Sequence, residues 1–278
     1  MFLSFLEGID RDLRESFLAS LRSLWTHHST ALEGNTLTLG ETHLVLGEGL
    51  TISGKPLSEH NEVVGHARAI DLIFELCRDD RAVDENDLHQ LHKAVQNVDR
   101  LDVFAPVGIW KKEENSTSVV IDEQIVYNDT YALPRDTPAL MTVWLQRCNQ
   151  FLEEAKQKAG RTPQDVLEAY VELHASFVRI HPYADGNGRM ARLLANLPVL
   201  RSGLPPLVIS TANRGEYIES LARWQMEMGR PSPGEVLFSS GTRPDSFAKF
   251  CFGQWESTRK LVNEIREKQA ARDCGTRN

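Results

Sequence analysis

His181-Pro182-Tyr183-Ala184-Asp185-Gly186-Asn187-Gly188-Arg189-Met190-Ala191-Arg192 separates a helix that ends before it from one that begins after it. Apolar residues at three- and four-residue spacing run up to Ile180, and Pro182 forbids a simple continuation because proline lacks an amide hydrogen. Asp185-Gly186-Asn187-Gly188 reads as a turn, and Met190 to Ala195 opens a new helix. A glycine-rich turn feeding a helix N-terminus offers free backbone N–H groups and the positive end of the helix dipole to an anion. Arg189 and Arg192 stand three apart, so both can lean toward one place. The stretch therefore reads as a phosphate cradle with two guanidinium clamps. Beside it lie an imidazole, His181, able to take a proton near neutral pH, and a carboxylate, Asp185, able to hold Mg²⁺. Each piece has an ordinary structural use, as a helix end, a turn or a solvated helix face. Their joint occurrence within twelve residues favours the functional reading.

Outward from this stretch the chain is helical by periodicity. Helices are expected over Asp10 to Leu32, with Gly34 as its stop, and from Thr38 to the glycines around Glu48. Others are expected from Pro56 through Leu76, over Asp84 to Val95, Thr137 to Lys156, Thr162 to Ile180, Gly215 to Met228, and Asp245 to Lys268. Between Gly108 and Tyr127, Val119-Val120-Ile121 and Ile125-Val126 flank the turn-forming Asp122, a hairpin signal. A lone hairpin is barely stable in water. The expected fold class is therefore mostly α, with one β-hairpin laid on a helical bundle.

The 278 residues are 41% hydrophobic and 25% charged, ordinary for a globular protein with a sizeable core. The formal net charge of −8 speaks against general nucleic-acid binding. The N-terminus has no basic stretch before its apolar residues, and no window approaches the roughly 18 apolar residues of a membrane span. Cys77, Cys148, Cys251 and Cys274 form no CxxC pair. Free thiols, no membrane association and a cytoplasmic location are expected.

His181 to Arg192 resembles the Fic (Fic/Doc) signature HPFxDGNGRxxR, with Tyr183 in the usual place of Phe. Gly108-Ile109-Trp110-Lys111 resembles the lead into that family's target-docking flap, where Gly-x-[Phe/Tyr]-Arg is common. The resemblance implies transfer of AMP from ATP to a Ser, Thr or Tyr hydroxyl of a protein. His181 would be the general base. Asp185 would hold Mg²⁺, or Mn²⁺ in its place, against the phosphates. Asn187 and the amides of Gly186 and Gly188 would line the anion hole, Arg189 would meet the β-phosphate, and Arg192 the γ-phosphate. Arg214, Tyr217 and Gln225 stand where family members contact base or ribose. Main-chain groups near Ser118 to Ile121 would align the target segment by strand addition.

Ser29-Thr30-Ala31-Leu32-Glu33-Gly34 matches the family's inhibitory [S/T]xxxE[G/N] pattern. The resemblance implies that Glu33 pairs with Arg192 and leaves ATP misaligned for in-line attack. Three regions are expected: a regulatory one over 1–83, a Fic catalytic core over 84–230 and a helical cap over 231–278. Removal of AMP at the same site, transfer of another nucleotide or of phosphocholine, and an ATP-binding regulator without turnover stay open. A homodimer is compatible with the resemblance. Lys111-Lys112-Glu113-Glu114 is expected to be a solvated charge run. His89 and His92, lacking a third ligand at a zinc spacing, are expected to pack in the core or face solvent.

Overall fold

The computed structural model describes residues 3–79, 81–97, 106–121, 123–157, 162–235, 237 and 244–275. Its helices are α1 Arg11–Ala31, α2 Leu39–Glu48, α3 Leu57–Arg78, α4 Glu85–Gln96, α5 Thr137–Lys156, α6 Pro163–Ile180, α7 Asn187–Leu194, α8 Asn196–Arg201, α9 Arg214–Met228 and α10 Asp245–Gly275. Strands β1 Thr117–Ile121 and β2 Gln124–Asn128 pair antiparallel, with Val120 opposite Ile125 and Ser118 opposite Tyr127. The mostly-α class with one hairpin holds. The turn residue Asp122 lies outside the described residues; Glu123 beside it adopts φ 63°.

Local chemistry explains the boundaries. Thr38 with Glu41, Asp84 with Asp87, and Thr162 with Asp165 each form a reciprocal capping box at a helix start. Pro163 then takes the first turn of α6, where its missing N–H costs nothing. Buried α6 side chains pack against α5, where Trp144 donates from Nε1 to the Leu173 carbonyl at 3.1 Å. Fully burying each large apolar side chain contributes about 1.5–3 kcal/mol, so the helix carrying His181 has a rigid seat.

Three boundaries differ from the sequence expectation. Helix α7 begins at Asn187, not Met190, because Gly186 takes φ 76° as its N-cap and turns the chain early. Gly188 and Arg189 thus lie in its first turn. A second break separates α7 from α8 near Asn196, whose side-chain amide donates to the Arg192 and Leu207 carbonyls and accepts from the Leu207 amide. Finally, α10 continues past Lys268 to Gly275. Its added turn is tied to the N-terminal region: Gln269 accepts from the Asp10 amide at 2.8 Å, and Arg272 pairs with Asp12 at 2.8 Å.

Cys77, Cys148 and Cys251 are buried free thiols and Cys274 an exposed one. Among the described residues no helix is long and apolar enough to cross a membrane.

Candidate active site

His181 caps α6 in the left-handed region, φ 54° and ψ 60°, an unusual conformation for a residue with a side chain. Such outliers persist only where surroundings over-determine them, and here they do. The Lys111 amide donates to the Pro182 carbonyl at 2.8 Å, and the Lys111 ammonium donates to the Ile180 carbonyl at 3.3 Å. His181 Nδ1 lies 3.2 Å from the Val178 carbonyl. A carbonyl can only accept, so Nδ1 carries the proton and Nε2 is left as the basic nitrogen. The Tyr131 ring packs 4.0 Å from the imidazole.

Burial pushes the His181 imidazolium down to about 4, with the Lys111 charge in the same direction. The Val178 carbonyl, Glu33 and Asp185 oppose the shift. Lys111 is itself pushed down to about 7, chiefly by burial and then by Arg230. The expectation of a solvated run fails at this residue, which is 3% exposed. Lys111 folds inward, and its aliphatic stem carries the ammonium to the end of α6.

The loop after His181 is held shut by its own polar groups. Asn187 Oδ1 accepts from the Tyr183 amide at 2.9 Å, and Nδ2 donates to the Tyr183 carbonyl at 2.8 Å. The Asn187 side chain therefore braces the loop from within. His92 does the same from α4: its Nδ1 accepts from the Gly108 amide at 2.9 Å, so Nε2 must donate, and it meets the Asp185 carbonyl at 3.0 Å. Its ring stacks on Tyr183 at 3.8 Å. His92 is thus a loop-positioning residue that the sequence did not reveal as such.

The Asp185 side chain is 71% exposed at the mouth of this loop. Burial would raise its pKa, but Arg189, the Gly186 amide and Gln96 together lower it. Among the described residues no group of three or more His, Cys, Asp or Glu side chains could cage a metal. One accessible carboxylate suits Mg²⁺, which is commonly held by one or two carboxylates together with substrate phosphates.

The two arginines turn to different partners. Arg192, 3% exposed, donates from Nε to Ser29 Oγ at 3.0 Å. One of its terminal nitrogens reaches the Ser29 carbonyl at 2.8 Å and Glu33 Oε1 at 2.6 Å, and the other reaches the Tyr217 hydroxyl at 3.1 Å. Burial disfavours the Arg192 charge, yet Tyr217 and Glu33 outweigh it and raise the pKa. Arg189 instead pairs with Glu62 at 2.8 Å and Asp185 at 3.2 Å. Gly188 lies against this ion pair: a Cβ there would collide with Glu33 Oε1.

The remaining candidates take supporting positions. Tyr217 also contacts His174 Nε2 at 3.2 Å, so its hydroxyl joins Arg192 to α6. Arg214 donates to the Leu32 carbonyl at 2.8 Å, clamping the chain one residue before Glu33. Gln225 accepts from Asn128 at 3.2 Å and fixes the base of the hairpin. The outer face of that hairpin exposes Val120, Ile125 and Tyr127.

Residues 82–199 match the Fic/DOC family. The chain is 33% identical over 217 residues to protein adenylyltransferase fic-1 of Caenorhabditis briggsae, covering 77% of this chain and 38% of the relative. It is 30% identical over 198 residues to protein adenylyltransferase Fic of Nematostella vectensis, covering 70% of this chain and 41% of the relative. The chain thus spans about two fifths of the length of these curated relatives. It is similar to the structure of a Fic domain containing signaling protein from Bacteroides thetaiotaomicron, with a TM-score of 0.75, 25% identity, and coverage of 96% of this chain and 93% of that one. For Fic-1 of Caenorhabditis elegans the TM-score is 0.62, at 25% identity over 96% and 68% of the two chains.

Proposed function

From a chain that carries a Fic/DOC-family domain over residues 82–199, we propose a protein adenylyltransferase held in an autoinhibited state by Glu33. The name protein adenylyltransferase, carried by the similar proteins, supports the reaction class. The observation that carries the regulatory part is the convergence of Ser29 and Glu33 on the buried guanidinium of Arg192.

In this reading, His181 Nε2 accepts the proton of a target Ser, Thr or Tyr hydroxyl as its oxygen attacks the α-phosphorus. The bond from that phosphorus to the bridging oxygen breaks, and pyrophosphate leaves. A half-buried imidazole with its pKa near 4 is neutral at pH 7 and ready to accept. Bound triphosphate adds negative charge nearby and raises its basicity. Mg²⁺, or Mn²⁺, held by Asp185 would neutralise phosphate charge when bound. The backbone amides at the start of α7 would serve the α-phosphate, with Gly186 bringing the backbone close and Asn187 bracing the loop. Arg189 would serve the β-phosphate. Arg192 cannot hold a γ-phosphate while Glu33 occupies it, so the triphosphate binds out of line. Misplacements near 1 Å can cost on the order of 10²-fold in rate.

The region before α4 would be regulatory, the segment from α4 through α9 catalytic, and α10 a cap over both. The protein would work in the cytoplasm, alone or as a homodimer, on ATP and a protein target. Glu33→Gly should raise incorporation of radiolabelled AMP, into the protein itself or a target in lysate. Equal labelling of Glu33→Gly and wild type refutes the latch. A second reading, removal of AMP from a modified protein, draws on the same carboxylate: Glu33 is 38% exposed, which leaves it able to hold a water. Loss of AMP release on Glu33→Ala would favour it.

A further inference from the structure

Glu62, on α3, belongs to none of the motifs that carry the resemblance. Its carboxylate nevertheless faces the first arginine of the loop, 2.8 Å from Arg189. The other carboxylate on that guanidinium is Asp185, at 3.2 Å. Arg189 is 8% exposed, so its charge requires a partner at all times. Its Nε–H is buried with no partner, a donor left over in a cradle built for anions.

The two carboxylates differ in anchorage. Asp185 stands on the loop and is largely exposed. Glu62 stands on a helix, and its Oε2 accepts from Asn35 Nδ2 at 2.8 Å. Asn35 is fixed in turn: its Nδ2 also donates to the Glu59 carbonyl at 3.0 Å, and its Oδ1 accepts from the Leu37 amide at 3.0 Å. It lies two residues beyond Glu33, so the fixture of Arg189 and the latch on Arg192 share one short segment of chain.

We propose that Glu62 is a positioning residue: anchored by Asn35, it shares the Arg189 guanidinium with Asp185 and keeps it aimed at the β-phosphate of the nucleotide. This rests on the nucleotide site described under Proposed function. Without Glu62, the buried guanidinium has Asp185 as its nearest carboxylate. Turning wholly onto that carboxylate, which it already touches at 3.2 Å, would withdraw Arg189 from the phosphate and neutralise the carboxylate assigned to the metal. A carboxylate that merely blocked Arg189 would act the opposite way, since its removal would strengthen phosphate binding.

ADP carries a β-phosphate and AMP does not, so calorimetric titration of both nucleotides separates the two cases without requiring turnover. In the full chain bearing Glu33→Gly, adding Glu62→Gln should lower the preference for ADP over AMP by about tenfold, the loss of one charge-assisted contact. An unchanged or increased preference overturns the proposal. Asn35→Ala keeps both charges and should lower the preference in the same direction by a smaller factor, which covers a Glu62→Gln protein that fails to fold. If Asn35→Ala leaves the preference intact, the anchoring by Asn35 is wrong. If neither nucleotide binds the Glu33→Gly protein, the nucleotide site itself falls. Both binding with full preference in the double variant overturns only the role of Glu62.

Discussion

Ser29→Ala tests the latch without touching its carboxylate. In the closed state Arg192 Nε donates to Ser29 Oγ at 3.0 Å, and Ser29 is 2% exposed. Removing the hydroxyl leaves that N–H buried and unpartnered, a penalty of about 1–3 kcal/mol. Arg192 keeps the Ser29 carbonyl and Glu33, so the latch weakens but survives. When Arg192 turns to a phosphate instead, its Nε–H regains an acceptor and the penalty disappears. The closed state is thus raised relative to the nucleotide-bound open state by about 1.5 kcal/mol, roughly tenfold in the open population. The initial rate of radiolabelled AMP incorporation should rise by about that factor in a protein that retains Glu33. With Glu33→Gly already present, Ser29→Ala should change the rate less than about twofold, because the closed state it would destabilise no longer exists. Equal factors in both backgrounds would refute the reasoning, as would no activation at all. Calorimetric melting of each variant establishes that the rates compare folded proteins.

Lys111→Met removes a cation that holds the His181 pKa down. The imidazole becomes more basic, and the acid limb of kcat/KM for AMP transfer should move to higher pH. An unmoved limb would separate Lys111 from His181. Acid stability provides a test independent of turnover. Burial holds His28, His92 and His181 near 4 in the folded chain, against 6.5 for an unperturbed histidine. Between these values the unfolded chain binds more protons, so stability is full above about pH 6.5 and declines as pH falls toward 4. At pH 5 the fully buried His92 alone costs about 2 kcal/mol, and the melting temperature should drop steeply between pH 6.5 and 5. A flat melting temperature over that range would show that these rings are not held neutral by the fold.

What the sequence disclosed and what it withheld follow from the range of the interactions. The helices α5, α6 and α9 and the hairpin are set by periodicity, capping residues and β-branched runs, all within one element. The His181 to Arg192 loop was equally legible, since its glycines and its proline act within a few residues of themselves. Lys111, by contrast, reads as one member of a Lys-Lys-Glu-Glu run, and only its approach to Ile180, 69 positions away, buries it. His92 meets the Asp185 carbonyl across 93 positions. Glu62 looks like one more acidic residue on a helix until α3 packs beside α7. The early start of α7 is hidden for a different reason. Gly186 is a poor helix former in any sequence reading, yet it serves as the N-cap here because the positive φ is what the turn requires.

The proposed latch would let side chains move while the backbone stays in place. Helix α1 ends at Ala31, and the following turn closes with the Glu33 amide donating to Thr30 and the Gly34 amide to Ala31, with Gly34 at φ 109°. Arg214 grips the Leu32 carbonyl from α9, and the Thr211 amide donates to His28 Nδ1 at 3.3 Å. Trp25 anchors the same helix in the core. In this structure Arg192 is buried between Ser29 and Tyr217. Of the two charged partners, Glu33 alone is substantially exposed, so opening would require rotation of the Glu33 and Arg192 side chains and no unfolding of α1. Inverting a population from 1:99 to 99:1 takes about 5.5 kcal/mol of differential binding. One charge-assisted pair of about 1.5–3 kcal/mol is weaker than that. In the proposed latch the neighbouring contacts at Ser29 and Tyr217 would therefore share in closing the site, and a ligand that engages Arg192 would reopen it without disturbing the fold.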